Sequence, residues 1–576
     1  MLMLRKTGLT TLLLGLTLAT ASAQTPPILS GSDRFHPVIT ENGMVSSQEA
    51  LATKVGVSIL SRGGNAVDAG VAVGFALAVT LPRAGNLGGG GFMMVHRAAE
   101  NQTVAIDYRE RAPASAFRDM FLDQDGNADS NKSRYSGLAV GVPGTVAGLA
   151  RAHETYGSGT LTLADLIEPA IRLAEDGFPV SVDLAYSLAT YEERLKADPD
   201  AAKIFFRSDG SLFQPGDILK QPELAESLKA IAANGADAFY KGSIARAIAD
   251  RVTEIGGAMQ PSDLEGYEPV LRQPVKGTYR GYEIHSMPPP SSGGIHIVQI
   301  LNILEGFPLG YLGHNSADTI HLMAEAMKRA YADRSQFLGD PDFVTVPAKG
   351  LTSKEYAAEL RAQISPNRAT AAADIKPGNP APYEGNETTH FSVVDKDGNA
   401  ISNTYTLNFS YGVRRIATGT GILLNNELDD FSAKAGVANA YGLLGGDANA
   451  VEAGKRPLSS MSPTLVFKDG KLVLSTGTPG GSRIITTVLQ ILMNVIDHGM
   501  NIAEATNAIR IHHQWLPDEI RVESGLNADT VRLLEGKGHR INEKSVMGST
   551  QSILVDGDRL HGAADPRRPG ALAAGH

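Results

Sequence analysis

The stretch GNETTHFSVVDKDGNAISNTYTLN, residues 385–408, decides the fold predicted for this chain. Two runs rich in β-branched residues flank the turn letters DKDGN, a pattern typical of a β-hairpin. Counting outward from the centre of the turn places Thr406 opposite Thr388, so these two residues are predicted to be cross-strand neighbours. A segment rich in Pro, Ala and Gly, residues 366–387, leads directly into the first strand. That strand is therefore predicted to begin abruptly at Thr388.

A threonine in this place would become an N-terminal residue if the Glu387–Thr388 bond were cut. A free α-amine has a pKa of about 7.7–8.0, so it can take the proton of its own side-chain hydroxyl, whereas a threonine inside a chain has no such base. The loose segment ahead of the strand would give the new amine room. The neighbouring Thr389 would keep an amide nitrogen and lacks this base. Paired threonines are also common in ordinary strands, so the pattern alone leaves both interpretations open.

A second hairpin is predicted in MSPTLVFKDGKLVLSTGTPGG, residues 461–481, with its turn at the Asp-Gly pair. Equal counting from that turn places Ser459 opposite Gly480. The serine pair 459–460 and the glycine pair 480–481 are therefore predicted to lie at the same end of a sheet.

Several helices are predicted from apolar periodicity and terminal signals. The letters S-x-x-E from Ser46 to Glu49 predict a capping box at the start of a helix that Gly63 and Gly64 end. The next segment, NAVDAGVAVGFALAVTLP, is apolar on all sides, which is typical of a buried helix. Further helices are predicted over residues 163–175, 223–233, 295–304, 317–338 and 484–496.

The first residues of the chain predict export. Arg5 and Lys6 precede an apolar run to Leu18 and then Ala21-Ser22-Ala23, the pattern of a secretory signal over residues 1–23 that is too short to span a bilayer. A periplasmic or secreted protein without a membrane span is therefore expected. The net charge is −10 and no Lys/Arg-rich tract follows the signal, so no nucleic-acid partner is expected.

Composition and motifs exclude several kinds of site. The chain has no cysteine, which excludes disulfides, cysteine nucleophiles and thiolate metal ligands. The motifs G-x-S-x-G, G-x-x-x-x-G-K-[ST] and H-E-x-x-H are absent, which argues against common serine hydrolases, P-loop enzymes and zincins. His512 and His513 are adjacent, and adjacent residues of a strand point to opposite faces, so no metal site is predicted there. No cofactor is predicted.

Several motifs of the chain closely resemble those of the γ-glutamyltranspeptidases. They are TTHFSVVDKDGNAISNTYTLN, GILLNNELDDFS, NAYGLLGGDANAVEAGKRPLSSMSPT, TGTPGGSRIITT, MGSTQSI, NLGGGGFM and DYRERAPA. The resemblance covers nearly all of the mature chain. It implies an α+β fold, the four-layer αββα sandwich of N-terminal-nucleophile hydrolases. It also implies self-cleavage into a large subunit, residues 24–387, and a small subunit, residues 388–576, which stay associated around one core.

The resemblance implies catalytic roles at the ends of both hairpins. Thr388 matches the nucleophile and would be the first residue of the small subunit. Thr406 matches the threonine that hydrogen-bonds the amino group of the nucleophile. Gly480 and Gly481 match the oxyanion hole, and they precede a predicted helix whose start is well suited to a developing negative charge.

The implied substrate has a γ-glutamyl head with a free α-carboxylate and a free α-ammonium, so its pocket needs opposite charges at separate points. Arg109 matches the arginine that binds the carboxylate, and its planar fork suits that group. The other matched positions are Ser459 and Ser460 as hydroxyl partners of the carboxylate, Glu427 and Asp430 at the ammonium, Asn408 in the same pocket, and Tyr441 as the gate of a lid loop.

The implied activity is transfer and hydrolysis of γ-glutamyl groups from glutathione and related compounds. Water, an amino acid or a dipeptide would accept the group. One alternative is a cephalosporin acylase on the same scaffold, although a glutaryl chain has no α-ammonium for Asp430 to bind. A periplasmic solute-binding protein is an alternative from a different class; it would explain export and a pocket but not a threonine at a cut site.

Overall fold

The computed structural model describes residues 33–380 and 390–576. The predicted signal and the segment with Glu387, Thr388 and Thr389 lie outside these residues. Two antiparallel sheets of seven strands form the centre. Sheet I has the spatial order Val38–Thr40, Arg559–Ala564, Gln551–Asp556, Lys471–Thr476, Thr464–Lys468, Tyr282–Ser286, Val275–Tyr279. Sheet II has the order Leu572–Gly575, Gly43–Ser47, Phe391–Asp395, Ala400–Thr406, Gly90–Arg97, Gln102–Tyr108, Val270–Arg272.

Helices cover the outer face of each sheet. Those of the apolar layer on sheet II are Ala50–Ser61, Ala66–Thr80, Thr145–Tyr156, Leu163–Glu175, Val182–Thr190, Glu192–Lys196, Pro199–Phe205, Pro222–Asn234, Asp237–Tyr240, Ser243–Glu254 and Pro261–Glu265. Those on sheet I are Gly293–Leu304, Leu309–Leu312, Ala317–Phe337, Ala348–Leu351, Lys354–Ala362, Arg483–Ile496, Ile502–Asn507 and Ala528–Gly536. The remaining elements are the helix Ser130–Tyr135, the short strands Phe178–Pro179, Ile218–Leu219, Ile416–Ala417, Ile422–Leu423, Ile511–His512, Ile520–Val522 and Ile541–Glu543, and the short 3-10 helices Gly137–Ala139, Ala372–Asp374, Glu427–Asp430 and Asp447–Asn449.

The alternation of side-chain direction along each strand produces the apolar layers on the two faces of each sheet. Val393 packs into the apolar layer under the helices of sheet II, while the next residue, Val394, packs between the two sheets. In sheet I, Val466 faces the helices and Leu465 faces the other sheet. Successive side chains of a strand point to opposite faces, so each central strand contributes to two apolar layers. The predicted four-layer αββα sandwich is confirmed.

Most predicted helices are confirmed, but the first one begins differently. The helix at 163–175 has the predicted bounds, and every residue of Ala66–Thr80 is buried as its all-round apolar pattern indicated. The capping box from Ser46 is wrong, since Ser46 lies in a strand and pairs with Ser392. Glu49 caps the helix instead, by accepting a hydrogen bond from the backbone of Ala52. Pairing with a distant strand overrides the local capping signal here.

The two hairpins differ in how well counting predicts their registers. In the first, Phe391 pairs with Asn403, which is the predicted register. In the second, Lys468 pairs with Lys471 as counted, but a bulge between Val466 and Phe467 shifts the pairing by one residue. The predicted pairing of Ser459 with Gly480 is therefore wrong, because the ladder begins at Thr464 and Ser459 forms an isolated bridge with Ser291.

Within the described residues, no helix has the combination of length and apolar character needed to cross a membrane.

Candidate active site

A small cavity lies at the end of the strand Ala400–Thr406 and collects most of the predicted site residues. Its walls are Arg334, Thr406, Asn408, Glu427, Asp430, Tyr441, Leu443, Ser460 and Gly481. Seven of these nine residues were predicted from the sequence, and they come from segments far apart in the chain. The serine and glycine pairs do share one end of the structure, as Ser460 and Gly481 demonstrate, despite the shifted register. Thr388 and its neighbours lie outside the described residues.

Arg109 forms the charged centre behind this cavity. Its side chain is fully buried, Nη1 donates to Glu427, and Nη2 lies 2.7 Å from Oδ2 of Asp430. Nε donates to the carbonyl of Pro457 at 3.3 Å. The residue predicted to bind a carboxylate thus touches both residues predicted to bind an ammonium. A buried charge needs such partners, because an unpaired one costs several kcal/mol.

Glu110 is a fourth charged group that sequence reasoning did not single out, although it stands in the quoted motif DYRERAPA. It is fully buried, with Oε2 3.9 Å from Nη1 of Arg109. Burial raises the pKa of Glu110 to about 7, against the opposing effect of Arg109. Burial also raises the pKa of Glu427. The two carboxyl groups therefore hold protons more readily than exposed glutamates, which limits the negative charge beside a single arginine.

Asparagine side chains of two motifs hold the strand end in place. Asn86, in NLGGGGFM, donates to the carbonyl of Thr406 at 2.9 Å and accepts from the backbone of Gly89. Asn425, in GILLNNELDDFS, donates to the carbonyl of Gly88 at 2.8 Å and accepts from the backbone of Glu427 at 3.0 Å. The bonds of Asn425 tie the short helix Glu427–Asp430 to the loop ahead of the strand Gly90–Arg97.

Asn408 joins the strand end to the loop with Tyr441. Its backbone has a φ of +69°, a conformation in which Asn is enriched, and its N–H donates to the hydroxyl of Thr406 at 2.8 Å. The hydroxyl of Tyr441 donates to Oδ1 of Asn408 at 2.7 Å. Burial and the nearby Asp430 raise the pKa of Tyr441, which keeps the phenol a neutral donor. Tyr441, the predicted gate residue, therefore lies in the wall of the cavity beside Asn408.

Ser459 and Ser460 are held next to Arg334, a cavity residue that the sequence did not indicate. The backbone carbonyl of Ser459 accepts from the hydroxyl of Ser292 at 3.1 Å. The same hydroxyl accepts from Nε of Arg334 at 3.0 Å. Burial raises the pKa of Asp430, and the positive charges of Arg109 and, to a lesser degree, Arg334 oppose this rise. A second cation thus faces the cavity from the long helix Ala317–Phe337.

Gly480 and Gly481 have φ values of +140° and +58°, and the helix Arg483–Ile496 begins two residues later. An added Cβ at Gly481 would lie 2.4 Å from Cδ1 of Tyr441, closer than such atoms approach. A side chain at this position would meet both backbone strain and the ring of Tyr441.

We expect Gly481→Ala to reduce kcat on the order of 10²-fold while the protein still folds, because backbone strain and the contact with Tyr441 would displace the backbone N–H that is predicted to hold the oxyanion. Turnover and thermal unfolding would be measured side by side. Gly499→Ala is the matched control, because Gly499 has a φ of +63° and no atom within 4 Å of the added Cβ. The control should lose about 1 kcal/mol of stability and keep its turnover. Equal turnover in both variants would contradict the assignment of Gly481.

A histidine cluster lies elsewhere in the molecule. His321 and His539 hydrogen-bond at 2.7 Å, and Glu325 is near both. Lys328 and Arg329 each approach the carboxylate of Glu325 at 2.9 Å and lower its pKa. These cations occupy the carboxylate that a metal ion would need.

The neighbouring histidines 512 and 513 have separate partners. Nδ1 of His512 lies 2.8 Å from the hydroxyl of Thr486, and Nε2 of His513 lies 3.3 Å from Asp518. His512 ends the strand Ile511–His512 and His513 follows it, so the two rings contact different residues without both belonging to the strand.

Comparison with known proteins places the chain in a family. A family model described as gamma-glutamyltranspeptidase matches residues 52–575. The chain is 57% identical over 577 residues to the glutathione hydrolase proenzyme of Escherichia coli strain K12, with 100% of this chain and 99% of that protein covered. Its fold is similar to cephalosporin acylase from Bacillus halodurans, with a TM-score of 0.83, 28% identity and coverage of 96% and 99%. It is also similar to γ-glutamyltranspeptidase from Helicobacter pylori, with a TM-score of 0.58, 45% identity and coverage of 59% and 96%. Because the family match spans most of the chain and agrees with a full-length relative, this protein belongs to the γ-glutamyltranspeptidase family.

Proposed function

We propose that this protein transfers and hydrolyses γ-glutamyl groups, with glutathione as a substrate, after cutting itself at Glu387–Thr388. The observation that carries the proposal is the buried contact of Arg109 with Glu427 and Asp430 beside the cavity at the end of the strand Ala400–Thr406. It supplies one positive and one negative pole, which a zwitterionic head group requires.

The γ-glutamyl head would insert between these poles. Its α-carboxylate would take the fork of Arg109, with Ser459 and Ser460 as hydroxyl partners. Its α-ammonium would take Glu427 and Asp430, so that the contacts of Arg109 with these two carboxylates in the free protein are exchanged for contacts with the substrate. Every buried charge then keeps a partner, which is the condition under which buried ion pairs are tolerated.

The register of the first hairpin supports Thr388 as the nucleophile. Phe391 pairs with Asn403, and three further steps outward along the same register lead to Thr388 and Thr406. The hydroxyl of Thr406 accepts from Asn408, so its own proton is available for a donor bond at this strand end. We infer that it orients the α-amine of Thr388.

In the proposed reaction the hydroxyl oxygen of Thr388 bonds to the γ-carbonyl carbon, and the hydroxyl proton passes to the α-amine of the same residue. Backbone N–H groups of Gly480 and Gly481 would hold the oxyanion. The bond from the γ-carbon to the leaving nitrogen then breaks, and that nitrogen takes the proton from the amine. Water, or the amine of an amino acid or dipeptide, attacks the resulting ester and returns a proton to the oxygen of Thr388.

We also propose that residues 1–23 direct export and that residues 24–387 and 388–576 are the two subunits. The division fits the sheets, because each sheet contains strands from both sides of the cut. Phe391–Asp395 pairs with Gly43–Ser47, and Thr464–Lys468 pairs with Tyr282–Ser286. Separating the subunits would open both sheets, so they should stay associated after cleavage.

Cephalosporin acylase activity is the competing proposal, and two anilides distinguish the two. We expect a γ-glutamyl anilide to be hydrolysed about 10²- to 10³-fold faster in kcat/KM than a glutaryl anilide. The carboxylate of a glutaryl group would bind Arg109 in place of Asp430. Because this group has no ammonium, the buried carboxylate of Asp430 would be left without a partner. Comparable rates on the two anilides would favour the acylase. If neither is hydrolysed and the chain stays whole on a denaturing gel, a solute-binding protein becomes the better explanation.

A further inference from the structure

His390 is the first described residue after the proposed cut, and it takes no part in the proposed reaction. Its side chain is buried between the two sheets. Nε2 lies 2.7 Å from the hydroxyl of Ser392, and Nδ1 lies 3.3 Å from the hydroxyl of Thr404. Thr404 is on the neighbouring strand, so the imidazole links the two strands of the first hairpin.

The register of the hairpin relates this link to the proposed catalytic threonines. Phe391 pairs with Asn403, and one step outward along the register sets His390 opposite Thr404. Residues two apart in a strand share a face, so the proposed pairing would place Thr388 opposite Thr406 on that face, two residues further outward. The His390–Thr404 contact is then one rung of the ladder, directly inside the proposed catalytic pair.

The hydrogen bonds define the proton positions in this rung. The hydroxyl of Ser392 donates to the carbonyl of Gln551 at 3.1 Å, and a carbonyl can only accept. Ser392 has one proton, so it accepts from Nε2–H of His390. The neutral imidazole then accepts at Nδ1 from the hydroxyl of Thr404. Burial lowers the pKa of His390 to about 3. The nearby backbone carbonyls of Gln551 and Asn403 favour the protonated ring, but their effect on this pKa is smaller than that of burial. The rung keeps one protonation state at every pH at which the enzyme would work.

Packing against the facing sheet holds the imidazole ring of His390 in one position. An added Cβ at Gly477 would lie 2.5 Å from both Cγ and Nδ1 of His390, so the backbone of the facing sheet lies directly against the imidazole. Sheet I therefore presses the ring against the strand end, while the two hydrogen bonds fix its rotation.

We propose that His390 and Thr404 are positioning residues that hold the two strand ends at the separation the catalytic threonines need. The proposal rests on the proposed function, because it concerns the nucleophile of that reaction. Small displacements of reacting groups are costly, and a shift of about 1 Å can reduce a rate about 10²-fold. Loss of the rung would therefore affect the chemical step and self-cleavage, but not the charged pocket that binds the head group.

The test uses Thr404→Val, which removes the hydroxyl and keeps the shape of the side chain. We expect kcat for the γ-glutamyl anilide to fall about 10- to 100-fold with KM unchanged within about twofold, and self-cleavage to slow. Thr404→Ser, which keeps the hydroxyl, should restore most of the rate. The pH–rate profile should keep its shape, since the imidazole does not titrate in the working range.

A second histidine–threonine contact in the same sheet controls for general structural effects. His96 pairs with Thr103 across two strands at the end of sheet II opposite the cavity, and the hydroxyl of Thr103 lies 3.1 Å from Nδ1 of His96 and 3.2 Å from Nδ1 of His285. Thr103→Val should lower the thermal unfolding midpoint as Thr404→Val does, yet leave kcat unchanged. Equal kcat in the two valine variants, or no recovery in Thr404→Ser, would overturn the positioning role. An unmodified protein that fails to hydrolyse the γ-glutamyl anilide would instead overturn the proposed function.

His390→Phe provides a second measurement if Thr404→Val does not fold. Phenylalanine is close to imidazole in shape and makes neither hydrogen bond, so the same selective loss of kcat is expected, again with KM unchanged. Normal turnover by His390→Phe would contradict the proposal.

Discussion

Thr388→Ala should remain a single chain and hydrolyse the γ-glutamyl anilide on the order of 10³-fold more slowly or worse. The substitution removes the hydroxyl that would attack both the peptide bond ahead of it and the γ-carbonyl of the substrate. The intact mass under denaturing conditions reports the cut, since the unmodified protein should give one fragment that ends at residue 387 and one that begins at residue 388. Both effects should appear together because one oxygen performs both reactions.

Two neighbouring variants make this result specific. Thr389→Ala should still be cut, because its nitrogen would remain an amide and it has no role as a base. Thr388→Ser keeps a hydroxyl and should be cut, at a reduced rate. If Thr388→Ala is still cut at the same bond, another protease performs the maturation and the autocatalytic proposal fails.

Asp430→Asn should remove most of the preference for γ-glutamyl over glutaryl anilides. The carboxylate of Asp430 lies 2.7 Å from Arg109 in the free protein and would face the α-ammonium in the complex. Without it, that ammonium would be buried with a weaker partner, which corresponds to a loss on the order of 10²- to 10³-fold in kcat/KM for the γ-glutamyl substrate. The glutaryl anilide lacks this group, so its rate should change much less.

Self-cleavage provides an internal check on this variant. It involves no substrate head group, so Asp430→Asn should be cut like the unmodified protein, and a processed but unselective enzyme is the expected outcome. Asp447→Asn is the control, since its side chain is 71% exposed and pairs with Arg118 at the surface. An Asp430→Asn protein that keeps the full γ-glutamyl preference would show that the ammonium binds elsewhere.

The first hairpin shows how far local sequence goes. Its register follows from the turn, because a tight turn aligns the residues on either side of it, and Phe391 pairs with Asn403 as counting predicts. The second hairpin follows its turn only as far as Phe467, where a bulge shifts the register. Val466 and Phe467 also pair with Tyr282–Ser286, so a third strand contributes to the pairing there, and the sequence around the turn carries no information about that strand.

Among the helices, too, some features follow from local sequence and others depend on tertiary contacts. Periodic apolar residues determine Leu163–Glu175 and Ala66–Thr80, because each helix buries its own pattern. The start of Ala50–Ser61 does not obey the capping signal at Ser46, whose strand is held by Phe391–Asp395. Where a segment must choose between a local cap and a ladder, the ladder prevails because it satisfies several backbone groups at once.

The residue types of the site were determined by the sequence, while their mutual contacts were not. The motifs pointed to Arg109, Glu427 and Asp430 by number, but 318 positions separate Arg109 from Glu427, and only the folded sheets bring them together. Glu110 and Arg334 gained their place in the site from burial and from the helix Ala317–Phe337. Hydrogen-bonded turns and the order of neighbouring residues involve only short stretches of chain, so they can be recognised in the linear sequence. Burial of charge depends on which distant segments exclude water together, and that is decided only when the four layers pack.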